Sequence, residues 1–160
     1  IINRNSKSRQ QMIEFKAWDK HTKKMIFQPL HPEAENAYNF TINLDGSFSV
    51  THRQHATGLG LRSICLDSED FELFFSIGLT TKDNKKLFPG DVIQKEGDKP
   101  VTIGYGEYEE SSPDSWGVQA KHFGPYITFD DGGTYAITQD GSGYSLAAGE
   151  CTHLGHTYEQ

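Results

Sequence analysis

Only two cysteines and two methionines occur in these 160 residues, and no apolar run approaches the roughly 20 residues of a membrane-spanning helix. Cys65 and Cys151 lie far apart, and an intracellular chain usually keeps such residues as buried free thiols, the expectation here, with a disulfide as the alternative. The opening residues are polar and basic with no apolar segment behind them, which is not the pattern of an export signal; a cytoplasmic location is expected. Catalytic signatures are missing as well. There is no G-x-S-x-G elbow, no Walker loop and no strand-anchored G-x-G-x-x-G. Ser142, between Gly141 and Gly143, has no recognisable base partner. Glu109, Glu110 and Asp114 read as acidic surface, since a glycosidase needs an opposed carboxyl pair across a cleft. Asp130 and Asp131 fall in a predicted hairpin turn and lack the calcium-loop pattern. No catalytic, cofactor-binding or metal-binding residue is assigned, and the chain is expected to be no enzyme.

Cys151-x-His153-x-x-His156 comes nearest to a metal site. Zinc accepts such ligands, but strong sites show paired spacings. Strand periodicity puts residues 151 and 153 on one face and sends 156 elsewhere. His52 and His55 form a second H-x-x-H, again without a further ligand in register. These histidines are expected as surface or core polar residues.

What the chain does have is aromatic and turn-forming content: ten Phe, seven Tyr and sixteen Gly, with 35% hydrophobic residues overall. That mixture predicts burial by β-sheet aromatics joined by tight turns. The length fits one domain, read here as a polar, basic tail over 1–11 and a single β domain over 12–160. The net charge of −7 is unevenly spread. Residues 1–25 carry seven Lys/Arg against Glu14 and Asp19, a balance of +5, and the rest carries eight against twenty, a balance of −12. An acidic body disfavours duplex nucleic acid. The basic segment reads as solvated chain, with phosphate or an acidic neighbouring subunit as the other readings.

MIEFKAWDK alternates, with Ile13, Phe15 and Ala17 on one side and Glu14 and Lys16 on the other, the pattern of a half-buried strand. Trp18, on the polar side, reads as cover for a sheet edge, with a contact surface as the alternative. KKMIF follows as a short strand, and residues 28–37 as a loop. Three hairpins are set by their apolar faces. A three-residue loop Leu44-Asp45-Gly46 pairs Ile42 with Phe48 and Phe40 with Val50. Loop Lys82-Asp83-Asn84 pairs Leu79 with Leu87, and loop Asp131-Gly132-Gly133 pairs Ile127 with Ile137 and Phe129 with Tyr135. Gly46, Asn84 and Gly133 are then expected in the left-handed region. Residues 53–70 are hard to read beyond a helical turn near Asp67–Asp70, capped by Asp67 or Ser68. VIQK, VTIGYGEYEE, WGVQAKHF and CTHLGHTYE read as short strands. The expected fold is all-β: a small, strongly bent antiparallel sheet or partly open Src-homology-like barrel with hairpin extensions.

Two segments carry a family resemblance. FKAWDKHTKKM (Phe15–Met25) is similar to the opening signature of YopX-like phage and prophage proteins, an F-R-A-W-D core followed by a basic turn and Met. GLTTKDNKKLFPGDVI (Gly78–Ile93) resembles their central signature, in which G-L-x-D-K-N-G-K precedes an aromatic residue and then G-D. Asn84 stands where that family usually has glycine, which fits a left-handed residue. Weaker likenesses lie at Phe71-Glu72-Leu73, at Gly106-Glu107-Tyr108 and in the ending Leu154–Glu159. Lys16, Pro89 and His156 depart from the pattern, where Arg, an acidic residue and Asn are usual. The resemblance implies a small, mainly β protein of phage or prophage origin in a bacterial host cell, with no assigned enzymatic activity and no catalytic residues to carry over. Three functions follow: an accessory module binding a host or phage protein, a self-assembling structural protein, or a metalloprotein built on the Cys/His cluster. Direct nucleic-acid binding through the basic segment is the remaining alternative.

Overall fold

The computed structural model describes residues 14–28, 31, 33–56, 58–110 and 121–160. Among them the strands are β1 (Phe15–Asp19), β2 (Lys24–Phe27), β3 (Tyr38–Ile42), β4 (Phe48–Ala56), β5 (Gly60–Leu66), β6 (Phe71–Phe75), β7 (Asp91–Lys95), β8 (Val101–Glu109), β9 (Lys121–Thr128), β10 (Thr134–Thr138), β11 (Leu146–Ala147) and β12 (Cys151–His156). Helix is confined to three short 3-10 turns among the described residues. The one at Ser68–Asp70 is capped by Asp67, whose carboxylate accepts the Glu69 amide at 3.0 Å. The all-β class predicted from the sequence is what forms. The strands are distributed over three open sheets, ordered β2-β1-β6, β3-β4-β5 and β11-β10-β9-β8-β7-β12, and none closes into a barrel.

β1 is the middle strand of its sheet, and all five of its residues are buried. One face of β1 meets the second sheet: the Phe15 ring stands edge-on to Phe40 at 5.4 Å, and Phe40 edge-on to Phe71 at 5.8 Å. Such pairs add roughly 0.5–1.5 kcal/mol each beyond the area they bury. Val50 closes this aromatic core. The opposite face carries Lys16 and Trp18 toward the third sheet, where Lys16 meets Asp91 and Trp18 meets Tyr158. The alternation predicted for β1 is therefore present, but its polar side is not solvent. Lys16 is only 2% exposed, because a central strand covered on both faces leaves no wet side.

The third sheet has a separate aliphatic core of Leu87, Ile93, Val101, Ile103, Ile127, Ile137, Ala148 and Cys151. Cys151 is buried there and Cys65 is exposed, both as free thiols, so the expectation of two buried thiols holds only for Cys151. β5 and the far end of β4 fill part of the stretch that could not be read from sequence. The strand predicted at WGVQAKHF begins outside the described residues and is seen from Lys121 onward.

The three hairpins share one loop geometry. Asn43, Thr81 and Phe129 each accept the amide three residues on, from Gly46, Asn84 and Gly132, and each donates to the carbonyl four residues on. Ile42 faces Phe48 and Phe40 faces Val50, as the apolar pattern predicts. Leu87 donates to the Leu79 carbonyl at 3.0 Å, again in the predicted register. Gly46 and Asn84 are left-handed, at φ 85° and 60°. The third loop is a correction. It is Asp130-Asp131-Gly132, with Gly132 at φ 86°, and Gly133 is not left-handed. Ile127 consequently faces Tyr135 rather than Ile137. The slip is two residues, which leaves every side chain on its predicted face; face alone fixes a register only modulo two.

Candidate functional site

Gly90 and Asp91 form a tight turn entering β7, and this turn is the centre of a buried polar junction. The Asp91 side chain is fully buried; one of its oxygens takes the Lys16 ammonium, and the other accepts the Phe88 amide at 2.8 Å. His153 Nε2 lies 3.4 Å from the same carboxylate. The Lys16 ammonium also sits 4.9 Å from the Phe88 ring centroid, a cation–π contact. A bulge between His153 and Gly155 shifts β12 by one residue, so that His156 pairs with Asp91. That bulge overturns the simple alternation, in which residue 156 points away from residue 153. His156, 1% exposed, has Nε2 at 2.9 Å from the Pro89 carbonyl, while its Nδ1 accepts the Tyr158 amide at 3.2 Å. The neutral ring protonated on Nε2 satisfies both bonds. Burial lowers its pKa, and the Lys16 charge adds to that against the opposing influence of the Pro89 carbonyl and Asp91.

This junction holds the sheets together; its polar groups are spent on one another. The Cys151 thiol points away, toward the Ala147 carbonyl at 3.3 Å, and burial raises its pKa. Among the described residues, no three His, Cys, Asp or Glu side chains converge on a point that could hold a metal ion. His52 stacks on Tyr38 at 4.3 Å, while His55 approaches Glu35 at 3.7 Å, so this pair diverges as well. Ser142 has its amide on Asp140 and its carbonyl on the Ser145 hydroxyl. Glu109 accepts the Thr134 hydroxyl through its carbonyl, and Glu110 stands 3.6 Å from His122. Asp114 lies outside the described residues.

The surface offers two further features. The first is the β8–β9 hairpin, whose strands pair from Thr102–Thr128 out to Glu109–Lys121. Tyr105 and Phe123 share one face, 52% and 73% exposed, with rings edge-to-face at 5.6 Å. Pro125 stands opposite Tyr105, and Glu107 opposite Phe123. On the other face Tyr126, Tyr108 and His122 form a stack, with centroid spacings of 5.1 and 5.3 Å. Gly104 permits it: a Cβ there would meet the Tyr126 ring at 2.3 Å. The second feature is a cleft of about 590 Å³ beside the β1–β2 turn, lined by Trp18, Lys23, Lys24, Met25, Tyr158 and Glu159. Trp18, 7% exposed, forms its floor against Tyr158; most of the ring is covered, but it stands on the central strand β1 rather than at the sheet edge expected from the sequence. A smaller apolar hollow of about 380 Å³ lies between Phe129, Tyr135, Tyr144 and Leu146.

These observations define a class: an all-β protein whose described residues form three open sheets, locked by a buried Lys–Asp–His junction and presenting an aromatic hairpin. No protein-family model and no curated protein matches the sequence. Among solved structures, the chain is similar to protein EF1440 from Enterococcus faecalis, at 16% identity and a TM-score of 0.46, over 92% of this chain and 94% of that one. It is also similar to protein YopX from Bacillus subtilis, at 12% identity and a TM-score of 0.45, over the same shares of the two chains. No helix among the described residues is long and apolar enough to cross a membrane.

Proposed function

We propose that the protein is a non-enzymatic accessory module of the phage or prophage kind, acting through protein–protein contacts made by the β8–β9 hairpin. One observation carries this reading. Tyr105 and Phe123 expose two large rings side by side on a paired β-scaffold, with Pro125 beside them. Rings presented this way are the usual anchors of protein interfaces, because they bury much area at little cost in side-chain entropy. The polar junction supports the same reading from the other direction, since its Lys, Asp and His groups are satisfied internally. The test compares wild type with Tyr105→Ala/Phe123→Ala. The variant is expected to keep its circular dichroism and melting temperature, because neither ring belongs to a core, and to lose a partner that the wild type binds. Loss of fold, or unchanged association, removes the proposal.

A further inference from the structure

The hairpin is not the only surface left without a partner. Lys23 and Lys24 stand exposed at the rim of the Trp18–Tyr158 cleft, and neither has a carboxylate within ion-pair distance among the described residues. The turn that displays them is built for it. The Asp19 carboxylate binds the His21 and Thr22 amides and the Thr22 hydroxyl, so it is spent on the turn and leaves the lysines alone. Lys23 is itself left-handed, at φ 55°, with its amide on the Asp19 carbonyl at 2.9 Å. Lys20, by contrast, folds back to the Glu69 carbonyl. Met25, Trp18 and Tyr158 add apolar surface to this basic rim. On the hairpin the signs are reversed. Glu107 likewise has no cationic partner among the described residues, and it sits opposite Phe123 beside the exposed Tyr105.

One molecule therefore carries an aromatic ridge with an unpaired carboxylate and, elsewhere, an aromatic-floored cleft with two unpaired ammonium groups. We infer that the partner of the hairpin is a second copy of this chain: the Tyr105/Glu107/Phe123 face of one molecule docks into the Trp18/Lys23/Lys24/Tyr158 cleft of the next. This rests on the reading of the hairpin as a docking surface and names its occupant. A foreign acidic or nucleic-acid ligand fits the cleft less well. Glu159 confines the positive charge of the cleft to the Lys23/Lys24 rim, which suits the single carboxylate of Glu107 better than a run of phosphates, and the exposed hairpin rings match the Trp18–Tyr158 floor. The contact joins two different patches, so it is heterologous, and it propagates into a ring or an open chain.

Sedimentation velocity and mixing decide it. Wild type is expected to gain mass with concentration at low salt and to return toward monomer at high salt, as charges at an exposed rim are screened. Lys23→Glu/Lys24→Glu and Tyr105→Ala/Phe123→Ala each destroy one half of the contact, and each is expected to stay monomeric alone. Mixed in equal amounts they are expected to form a dimer, since each contributes the half that the other has lost. Glu107→Lys, which leaves both rings in place, serves as a second hairpin variant if the aromatic pair impairs folding. A monomeric wild type at low salt, an assembling variant, or a mixture that stays monomeric overturns the inference. Should the Tyr105→Ala/Phe123→Ala variant lose a foreign partner while wild type alone remains monomeric, the inference falls and the hairpin reading stands. Should that variant leave every association unchanged, both fall.

Discussion

Lys16 and Asp91, 75 residues apart in the chain, form an ion pair whose side chains are 3% and 0% exposed and which joins β1 to the start of β7. Each belongs to a different signature segment, FKAWD and PGDVI, so one contact accounts for a residue in both. Breaking a buried pair by removing one partner leaves an uncompensated charge and costs about 3–5 kcal/mol. Lys16→Met should lose that much in urea unfolding. Lys16→Met/Asp91→Asn should be less destabilised than Lys16→Met alone, because Asn retains an oxygen for the Phe88 amide and carries no charge. A double variant that loses the sum of the two single losses would show the pair to be uncoupled.

Stability should fall with acid in two windows. The buried, neutral His156 has a folded pKa below its unfolded one, so the unfolded chain binds more protons as pH drops beneath about 6.5. Stability is then complete above that value and is lost on the way down to the folded pKa. Asp19 follows the carboxylate rule. Burial works to raise its pKa, but the Thr22 hydroxyl and the Thr22 and His21 amides outweigh that and lower it. Its contribution is present above the unfolded value of about 3.9 and disappears as pH falls through the folded one. Chemical denaturation from pH 7.5 to 3 should show the upper window flattened in His156→Gln and the lower one in Asp19→Asn. An upper window of unchanged slope in His156→Gln would contradict the assignment.

Gly90→Ala should be costly for two separable reasons. The residue is left-handed at φ 87°, and a Cβ there would lie 2.2 Å from His156 Nε2. The backbone term alone is roughly 1–2 kcal/mol. The ring cannot yield freely, because it is held by Pro89 and packed on Phe74 at 4.7 Å. If the clash matters, Gly90→Ala should cost less in a His156→Ala background than in wild type, as read by thermal unfolding. Equal cost in both backgrounds would leave only backbone strain.

Much of this was legible from alternation, and its failures have identifiable causes. Phe40, Ile42, Phe48 and Val50 share one face of the first hairpin, and the Asp45-Gly46 turn then fixes which of them pair, although Ile42 at the open end is 39% exposed. Lys16 misleads because periodicity separates two faces but cannot tell whether the second one is dry; that depends on which strand is central. His156 misleads because a bulge adds one residue to the count, and Gly155, at φ 127°, was the local signal for it. The Tyr105–Phe123 face was hidden for another reason. Both strands alternate visibly, but their pairing spans residues 110–120, a connection too long for turn chemistry to set the register. The cleft joins residues near both ends of the sequence, and no local pattern announces that.

The third hairpin supplies the sharpest test of loop chemistry. All three loops read x-Asp followed by Gly or Asn: Leu44-Asp45-Gly46, Lys82-Asp83-Asn84 and Asp130-Asp131-Gly132. The middle aspartate is used locally each time. Asp45 accepts the Ser47 amide at 2.9 Å, Asp131 accepts the Gly133 amide at 2.8 Å, and Asp83 accepts the Thr81 hydroxyl. The last loop position alone is left-handed. Gly46→Val and Gly132→Val should therefore each cost on the order of 1–2 kcal/mol, as a β-branched residue forced to positive φ. Gly133→Val should cost distinctly less, since that residue does not occupy the left-handed region. Asn84→Gly should be close to neutral, because relief of the Cβ penalty is offset by a freer unfolded chain. Urea midpoints for the four variants check the order, and a Gly133→Val loss as large as that of Gly132→Val would return the left-handed position, and with it the two-residue shift in pairing, to Gly133.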